Sequence, residues 1–241
     1  MTCAVSTVPD LHFVGAAAGA VCLPLNASMG GQAAENITDW ALNKFLAQYK
    51  STAVKGKGAR KITKEAIFHY CYAVLNDTHY REKYALNLKR ELPRIPFYPD
   101  FWCWADWGAG LMEQHINFES AIPFPLTRSD VPDIKAQMAG QSPKVLLKAD
   151  KSAGRIMIDS ETTLTGIPPE AWAYRLGANS ALEWILDQHK EKKPKDPVIR
   201  QKFNGYKFAA YKEHVIDLLM RVVTVSDYTV GIMNQMKAAQ R

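Results

Sequence analysis

The chain has 241 residues, of which 47% are hydrophobic and 10% aromatic. This composition can fill a sizeable core, so it excludes a disordered tail or a fibrous protein and indicates one large domain or two small ones. The 30 Lys and Arg residues outnumber the 24 Asp and Glu residues, which gives a formal net charge of +6.

The positive charge is concentrated in two segments. Residues 50–64 hold six basic side chains and no acidic one, and residues 190–212 hold eight basic side chains against two acidic ones. The rest of the chain carries 16 basic and 22 acidic residues and is therefore mildly acidic. Two basic segments on an acidic body are typical of a protein that binds a polyanion such as nucleic acid. The alternative is that each segment is only a solvated loop.

The cysteines and the apolar segments give no sign of export or membrane insertion. The four cysteines include no CxxC pair, and a chain of this size does not need disulfides, so we expect reduced thiols. The apolar stretch at 11–25 follows Asp10 rather than a cationic segment, and it is too short to span a bilayer. We therefore expect a cytoplasmic protein with no membrane partner.

The first 35 residues are predicted to hold two strands and connecting loops. Residues 1–10 have the composition of a loose terminus that precedes a domain at 11–241. Residues 11–14 and 21–25 have the pattern of short strands on either side of a turn of small residues. A loop rich in Gly and Ala is expected to follow as far as Ala34.

Three helices are predicted next. Thr38 and Thr63 are typical N-caps, and each is preceded by an isoleucine that can pack onto the first turn of an amphipathic helix. A third helix is expected from about Thr78 to Leu92, because Pro93 cannot continue it.

Proline and aromatic residues dominate the following segment. Three prolines between Leu92 and Pro99 predict an extended path. Asp100 is the expected N-cap of a helix with an apolar face formed by Trp104, Trp107, Gly108, Leu111 and Met112. The aromatic cluster at 101–107 is either a platform for stacking bases or part of a core, and its helical spacing favours the core.

A small antiparallel sheet is predicted in the second half of the chain. Residues 144–149, 155–160 and 162–167 have the pattern of its three strands. Pro169 is then expected to open a helix that Gly177 closes.

Two more helices complete the prediction. Ser180 and Glu183 match a capping box, and apolar residues between Tyr211 and Val222 predict a long terminal helix. The sequence shows no repeat and no obvious linker. The predicted fold is therefore α+β, a predominantly helical single domain with a small antiparallel sheet.

The motifs of common catalytic and metal sites are missing from the sequence. The turn from Gly15 to Gly19 lacks the third glycine of a dinucleotide loop, and the glycines around Lys57 lack the spacing of a phosphate loop. The six histidines form no HExxH motif. Asp159 and Glu161 could share one face of a strand and serve in acid–base or metal chemistry, but such pairs are commonplace. We expect no metal, no cofactor and no enzymatic activity.

Four long strings of the sequence carry a resemblance to a known family. They are ENITDWALNKF at 35–45, REKYALNLKRELPRIPFYPDFWCWADWG at 81–108, DSETTLTGIPPEAWAYRLGANSALEWILDQHKEKKPKDP at 159–197 and YKEHVIDLLMRVVTVS at 211–226. These strings closely resemble the C-terminal specificity domain of the Type ISP restriction-modification enzymes, and the likeness extends from about Pro9 to about Ser226.

The resemblance implies a DNA target recognition domain. In that family one polypeptide carries a nuclease, a helicase-like translocase, a coupler, an adenine-N6 methyltransferase and then this domain. Its implied role is to grip duplex DNA at a short asymmetric site and present the adenine that the methyltransferase flips out. This chain holds no Asn-Pro-Pro-aromatic methylation motif and no GK[ST] loop. We expect a recognition domain that stands alone, without nuclease, motor or methyltransferase parts.

A second interpretation assigns the chain to the same family but does not require it to bind DNA. The chain would then be a protein-interaction module, or a gene remnant, that docks a separate methyltransferase or translocase chain and has little DNA affinity of its own. Duplex DNA is the expected partner in the first interpretation, and a separate methyltransferase or helicase–nuclease chain is the expected partner in the second.

The expected DNA contacts are basic side chains, because Lys and Arg neutralise phosphates. Arg94, between two prolines, and Arg155, at the start of a strand, are rigidly placed arginines that could read guanine, although a structural or phosphate role is favoured for both. The remaining expected contacts are Lys55, Lys57, Arg60, Lys61, Lys190, Lys192, Lys193, Lys195, Arg200 and Lys202.

Overall fold

The computed structural model describes residues 2–9, 21–29, 32–49, 60–191, 195–203 and 205–241. Helices dominate, and the strands form small antiparallel sheets, so the predicted α+β class is confirmed. The described residues form two compact units. The N-terminal unit comprises residues 2–116 and 232–241, and the C-terminal unit comprises residues 117–231.

A β-hairpin, rather than the predicted loop, precedes the first helix of the N-terminal unit. Strand β1 (Asn26–Met29) pairs with β2 (Gln32–Glu35), whereas residues 21–25 do not form the predicted strand. The backbone N–H of Asn36 closes the hairpin with a hydrogen bond of 2.9 Å to Leu25 O. The strands are built from Asn, Ala, Ser, Met, Gln and Glu, so they lack the β-branched alternation that reveals a strand in sequence. The strand predicted at 11–14 lies outside the described residues.

Helices α1 (Asp39–Gln48) and α2 (Lys64–Asn76) begin where the sequence predicts. The hydroxyl of Thr38 accepts the Ala41 N–H at 3.2 Å, and the hydroxyl of Thr63 accepts the Ala66 N–H at 3.1 Å. Each cap satisfies one of the backbone donors that a helix leaves unpaired at its N-terminus.

The third helix is shorter than predicted. Helix α3 (Thr78–Lys83) starts at an Asp77 N-cap, and only a 3-10 turn at Asn87–Lys89 continues the path. The hydroxyl of Tyr80 donates a hydrogen bond of 2.9 Å to the carbonyl oxygen of Arg94. If the helix continued straight to Leu92, that residue would lie about 20 Å from Tyr80. The hydroxyl of Tyr80 could then not reach the carbonyl oxygen of Arg94, so the hydrogen bond requires the helix to end early.

Buried tyrosines hold the extended segment at 92–99. The hydroxyl of Tyr70 donates to Pro96 O at 2.8 Å and accepts the Tyr98 N–H at 2.6 Å. The hydroxyl of Tyr49 donates to Tyr98 O at 2.6 Å. Burial raises the pKa of Tyr70 well above its usual value, so the phenol stays neutral and can donate. These bonds satisfy backbone groups that the extended segment cannot pair within itself.

Helix α4 (Phe101–Ile116) is capped as predicted, with the Cys103 N–H 3.0 Å from Asp100 Oδ1. Phe101 and Trp104 are buried, so the interpretation of the aromatic cluster as core is correct for these two rings. Trp102 and Trp107 are only partly buried against the same core.

Helices α2 and α4 pack closely at Gly108. A Cβ atom at this position would overlap the carbonyl oxygen of His69 and lie 3.2 Å from Ala73 N. The two backbones therefore approach as near as they do only because residue 108 has no side chain.

The C-terminal unit is built on a four-stranded antiparallel sheet of order β3-β6-β5-β4. Three strands match the prediction: β4 (Val145–Asp150), β5 (Arg155–Asp159) and β6 (Thr162–Thr165). The fourth, β3 (Thr127–Asp130), is exposed at every residue, so it has no hydrophobic alternation to predict it. Its residues pair with β6, and Arg128 lies opposite Leu164.

A predicted helix in this unit is replaced by a 3-10 turn and a short hairpin. Pro169 opens a 3-10 turn at Pro169–Trp172, and strand β7 (Arg175–Leu176) then pairs with β8 (Asn179–Ser180). Gly177 has φ of 71° in the turn between these strands. The glycine has the positive φ typical of a helix end, but it serves a hairpin, and both structures use glycine for the same steric reason.

The remaining helices are α5 (Ile134–Met138), α6 (Ala181–Gln188), α7 (Pro197–Phe203) and α8 (Lys212–Ala238), with 3-10 turns at Phe118–Ser120 and Phe208–Ala210. The long terminal helix α8 is confirmed, and its residues after Gly231 belong to the N-terminal unit. Inward residues of the sheet pack with α6 and α8 in the core of the C-terminal unit. Within the described part of the chain, no helix is long and apolar enough to cross a membrane.

The predicted capping box at the start of α6 is confirmed and extended by an ion pair. The Ser180 N–H and hydroxyl both donate to Glu183 Oε2, and Lys151 Nζ lies 2.8 Å from Glu183 Oε1. Burial would raise the pKa of Glu183, but the hydrogen bonds from Lys151 and Ser180 outweigh it and lower the pKa to about 2.

The first prediction tests the approach of the two helices. Gly108→Ala should destabilise the protein by about 3 kcal/mol or more, because the new methyl group displaces backbone rather than a side chain. Gly231→Ala is a matched control within a helix, since nothing lies within 4 Å of its added Cβ. Urea unfolding measures both variants. Equal stabilities of the two variants would contradict the steric account.

The second prediction concerns acid. Because the folded-state pKa of Glu183 is depressed, its stabilisation is present above its unfolded pKa of about 4.5 and is lost as the pH falls towards about 2. The wild-type melting temperature should therefore fall more steeply across this range than that of Glu183→Gln. Glu170→Gln removes an exposed carboxylate and is the control for the loss of one charge, so its melting temperature should follow the wild-type curve. Parallel curves for all three proteins would refute the prediction.

Candidate nucleic-acid interface

The structure describes most of the predicted DNA contacts and leaves some outside. Lys55, Lys57, Lys192 and Lys193 lie outside the described residues, and so does the side chain of Arg200. The remaining predicted contacts are distributed over both compact units.

Arg60 is held in a rigid arrangement on α4. Its two terminal nitrogens each lie 2.7 Å from one carboxylate oxygen of Asp106, and its guanidinium carbon is 3.9 Å from the centroid of the Trp102 ring. The bonds to Asp106 raise the pKa of Arg60. The planar guanidinium of arginine can form two parallel hydrogen bonds and stack on a ring at the same time, whereas the ammonium group of lysine cannot. Lys61, the next residue, is exposed.

Arg94 and Arg155 each form a short-range ion pair. Arg94 Nη2 lies 3.1 Å from Glu91 Oε2, and the Arg94 side chain is 90% exposed. Arg155 Nη2 lies 3.0 Å from Asp150 Oδ2, and about half of its side chain is exposed. Exposed ion pairs of this kind are weak, so both guanidinium groups can exchange a carboxylate for a phosphate or a base edge.

The described part of the basic segment at 190–212 contains helix α7 and several backbone hydrogen bonds to acidic side chains. Asp196 caps α7 by accepting the N–H groups of Val198 and Ile199 at 2.8 and 3.0 Å, and Glu191 accepts the Phe208 N–H at 3.0 Å. Its two acidic residues thus stabilise local backbone.

The lysines of this segment differ in what they contact. Lys190 lies 3.3 Å from Asp187, whereas Lys212 lies 2.7 Å from the buried carboxylate of Asp159. Lys195 and Lys202 are exposed. Lys212 therefore stabilises the fold, whereas Lys195 and Lys202 expose their side chains to solvent.

Asp159 and Glu161 form a structural turn rather than an acid–base site. Asp159 Oδ1 accepts the N–H groups of Glu161 and Thr162 at 3.0 and 2.7 Å, and its Oδ2 accepts Lys212 Nζ. Glu161 accepts the Asp133 N–H at 2.9 Å. Both carboxylates are therefore engaged by donors that the fold supplies.

A further basic segment, at 81–94, did not stand out in the sequence because two glutamates interrupt it. It holds five basic residues against Glu82 and Glu91. A charge count over a window of 14 residues would have identified it. The five basic residues are Arg81, Lys83, Lys89, Arg90 and Arg94.

A cleft of about 230 Å³ opens beside this segment. The rings of Tyr80 and Tyr84 lie 5.0 Å apart, and Lys83 Nζ is 5.4 Å from the Tyr84 centroid. The lining includes Tyr80, Tyr84, Asn87, Leu88, Glu91 and Arg94. We call this feature the α3 cleft. It brings together an aromatic surface, an amide and a cation.

The described residues show no metal cluster, and two buried groups, Cys71 and His115, have shifted pKa values. No group of three or more His, Cys, Asp and Glu side chains in the described part of the chain could hold a metal ion. Burial raises the pKa of the Cys71 thiol to about 12, so it stays protonated. Burial lowers the pKa of His115 to about 4, and its Nδ1 lies 2.6 Å from the hydroxyl of Tyr72.

The third prediction asks what Arg60 does. If Asp106 and Trp102 fix its guanidinium, Arg60→Lys and Asp106→Asn should each lower the free energy of unfolding by about 1 kcal/mol, because each variant disrupts the same two-bond ion pair. For that reason the double variant should be little worse than either single variant. Urea unfolding of the four proteins measures this coupling. Additive losses would show that the two side chains act independently.

A family and three solved structures resemble this chain. The sequence matches the Type ISP C-terminal specificity domain over residues 1–218. No curated protein matches it. In a cryo-EM structure of a DrdV–DNA complex, the similar region is 50% identical with a TM-score of 0.81, and it covers 91% of this chain and 22% of that one.

Two other solved structures show the same fold at lower identity. One is a nuclease-deletion mutant of the Type ISP restriction-modification enzyme LlaGI in complex with a DNA substrate mimic, with 22% identity and a TM-score of 0.66, covering 96% of this chain and 19% of that one. The other is the ATP-dependent Type ISP enzyme LlaBIII bound to DNA, with 20% identity and a TM-score of 0.63, covering 88% and 13%. This chain spans about a fifth or less of the length of each solved chain.

Proposed function

The chain belongs to the family of Type ISP C-terminal specificity domains, and from this premise we propose that it recognises a specific sequence in duplex DNA. The observation that carries the proposal is the 50% identity, over 91% of this chain, to part of a protein whose structure is a DNA complex. We assign both compact units to this recognition function.

The distribution of charge on the described residues supports the proposal. Lys61, Lys195 and Lys202 are exposed, and Arg94 and Arg155 are held only by exposed or half-exposed ion pairs. Flexible lysines suit phosphates, whereas arginines whose backbone is fixed suit base edges. We propose that the lysines of the two basic segments contact phosphates and that Arg94 and Arg155 contact either phosphates or base edges.

We propose that this chain supplies recognition and no catalysis of its own. The carboxylates at Asp159 and Glu161, which offered the best candidate for chemistry, are engaged by backbone N–H groups and by Lys212. In this proposal the methyltransferase, translocase and nuclease activities reside in polypeptide segments other than these 241 residues.

A second candidate function is a docking module with little DNA affinity. Exposed apolar side chains favour it, because Trp40 is 71% exposed on α1 and Leu86 is 72% exposed after α3. The two candidates differ in one measurable property, the dependence of DNA binding on salt.

The fourth prediction measures that property. The purified chain should bind duplex DNA with an affinity that falls steeply with salt, at a slope of roughly −0.9 per neutralised phosphate. Replacing Lys190, Lys195 and Lys202 together by Gln should weaken binding to all sequences and flatten the slope. Fluorescence anisotropy at several salt concentrations measures both effects.

The matched control replaces Lys44, Lys135 and Lys237 by Gln, which removes the same charge at exposed positions outside the two basic segments. Equal losses in the two triple variants would mean that total charge, not position, determines binding. No detectable binding at low salt would favour the docking module.

A further inference from the structure

We propose that the α3 cleft binds one unpaired nucleotide of DNA, with the base inside the cleft and its phosphate at the basic rim. This inference rests on the proposed DNA-binding function and adds a ligand and a site to it. The α3 cleft would bind a nucleotide outside the double helix, whereas the two basic segments would bind the duplex itself.

The walls of the α3 cleft are held in place from both sides. Asp77, which is fully buried, caps α3, and the guanidinium of Arg241 donates to both of its carboxylate oxygens at 3.0 and 2.9 Å. On the other side, Tyr80 OH donates to Arg94 O at 2.9 Å. A cleft held this way needs little ordering when a ligand enters, which favours binding of a small group.

The interior of the cleft suits a nucleobase. Tyr84 lines the cleft and is 37% exposed, and proteins stack unpaired bases on aromatic rings of this kind. Asn87 is exposed at the lining and carries both a donor and an acceptor, the combination that matches the edges of bases. A volume of about 230 Å³ admits one ring system and its sugar, not a helix or a duplex.

The rim suits a phosphate. Lys83 lies at the Tyr84 ring, Arg94 lines the cleft, and the exposed residues Lys89 and Arg90 follow the lining residue Leu88 directly in the chain. Glu91 is the acidic residue of the lining, and it is paired with Arg94. Lys83 at the Tyr84 ring thus adds a cation to the Arg94–Glu91 pair of the lining, and this charge favours an anionic nucleotide over an apolar side chain of a partner protein, even though Leu92 of the lining is 64% exposed.

The test compares two DNA probes with the full chain. One is a fully paired duplex, and the other is the same duplex with a single bulged 2-aminopurine. The wild type should bind the bulged duplex about fivefold or more tightly than the paired one, and the 2-aminopurine fluorescence should fall as the base stacks on an aromatic ring.

Two variants locate the effect. Tyr84→Leu keeps an apolar side chain but removes the ring, and Asn87→Ala removes the amide. Each should abolish the preference for the bulge and leave the affinity for the paired duplex unchanged. Tyr228→Leu is the matched control, since Tyr228 is 39% exposed and lies in the other compact unit. It should behave like the wild type.

Three outcomes would overturn the proposal: no preference for the bulged duplex in the wild type, a preference that survives both cleft variants, or one that is lost equally in Tyr228→Leu. If the cleft instead binds a side chain of a partner protein, the wild type will show no preference for the bulged duplex.

A single-stranded 2-aminopurine oligonucleotide distinguishes failure of the cleft proposal from failure of the proposed duplex recognition. Quenching that depends on Tyr84, without any affinity for paired duplex, would retain the cleft and reject duplex recognition.

Discussion

The contact between α2 and α4 at Gly108 is the constraint on which the N-terminal unit depends. Because no side chain separates the helices there, Tyr70 on α2 can reach the backbone of Pro96 and Tyr98, and that extended segment leads into α4. The same α4 carries Trp102 and Asp106, which fix Arg60. The extended segment also supplies Arg94 to the α3 cleft. The absence of a side chain at Gly108 thus helps to position both Arg60 and the α3 cleft.

In the C-terminal unit the equivalent role falls to the carboxylate of Asp159. It joins the turn between β5 and β6 to Lys212 at the start of α8, and nearby Arg128 on β3 lies 2.7 Å from Glu213 of the same helix. A buried carboxylate is stable only when donors surround it, and here two backbone N–H groups and an ammonium do so.

The proposed recognition of DNA places two demands on cations, which we assign to exposed lysines and to arginines with an ordered backbone. Exposed lysines such as Lys195 and Lys202 can follow the phosphate backbone with little geometric restriction. Arginines with an ordered backbone, such as Arg94 and Arg155, can present a planar group in a defined direction. The α3 cleft adds a third element, because aromatic and amide groups can accept a base that phosphate contacts alone would leave unread.

The sequence by itself determined the local signals: the Thr38 and Thr63 caps, the capping box at Ser180, the strands at β4 to β6, the family, and the two main basic segments. Each depends on residues near one another in the chain, so spacing reveals it. Only the tertiary structure decided that α3 ends at Lys83, that Gly177 turns a hairpin, that Arg60 meets Asp106, and that Arg94 lines a cleft with Tyr84. These features join residues distant in sequence or overrule a local preference, and the energy that selects them comes from packing that no short segment contains.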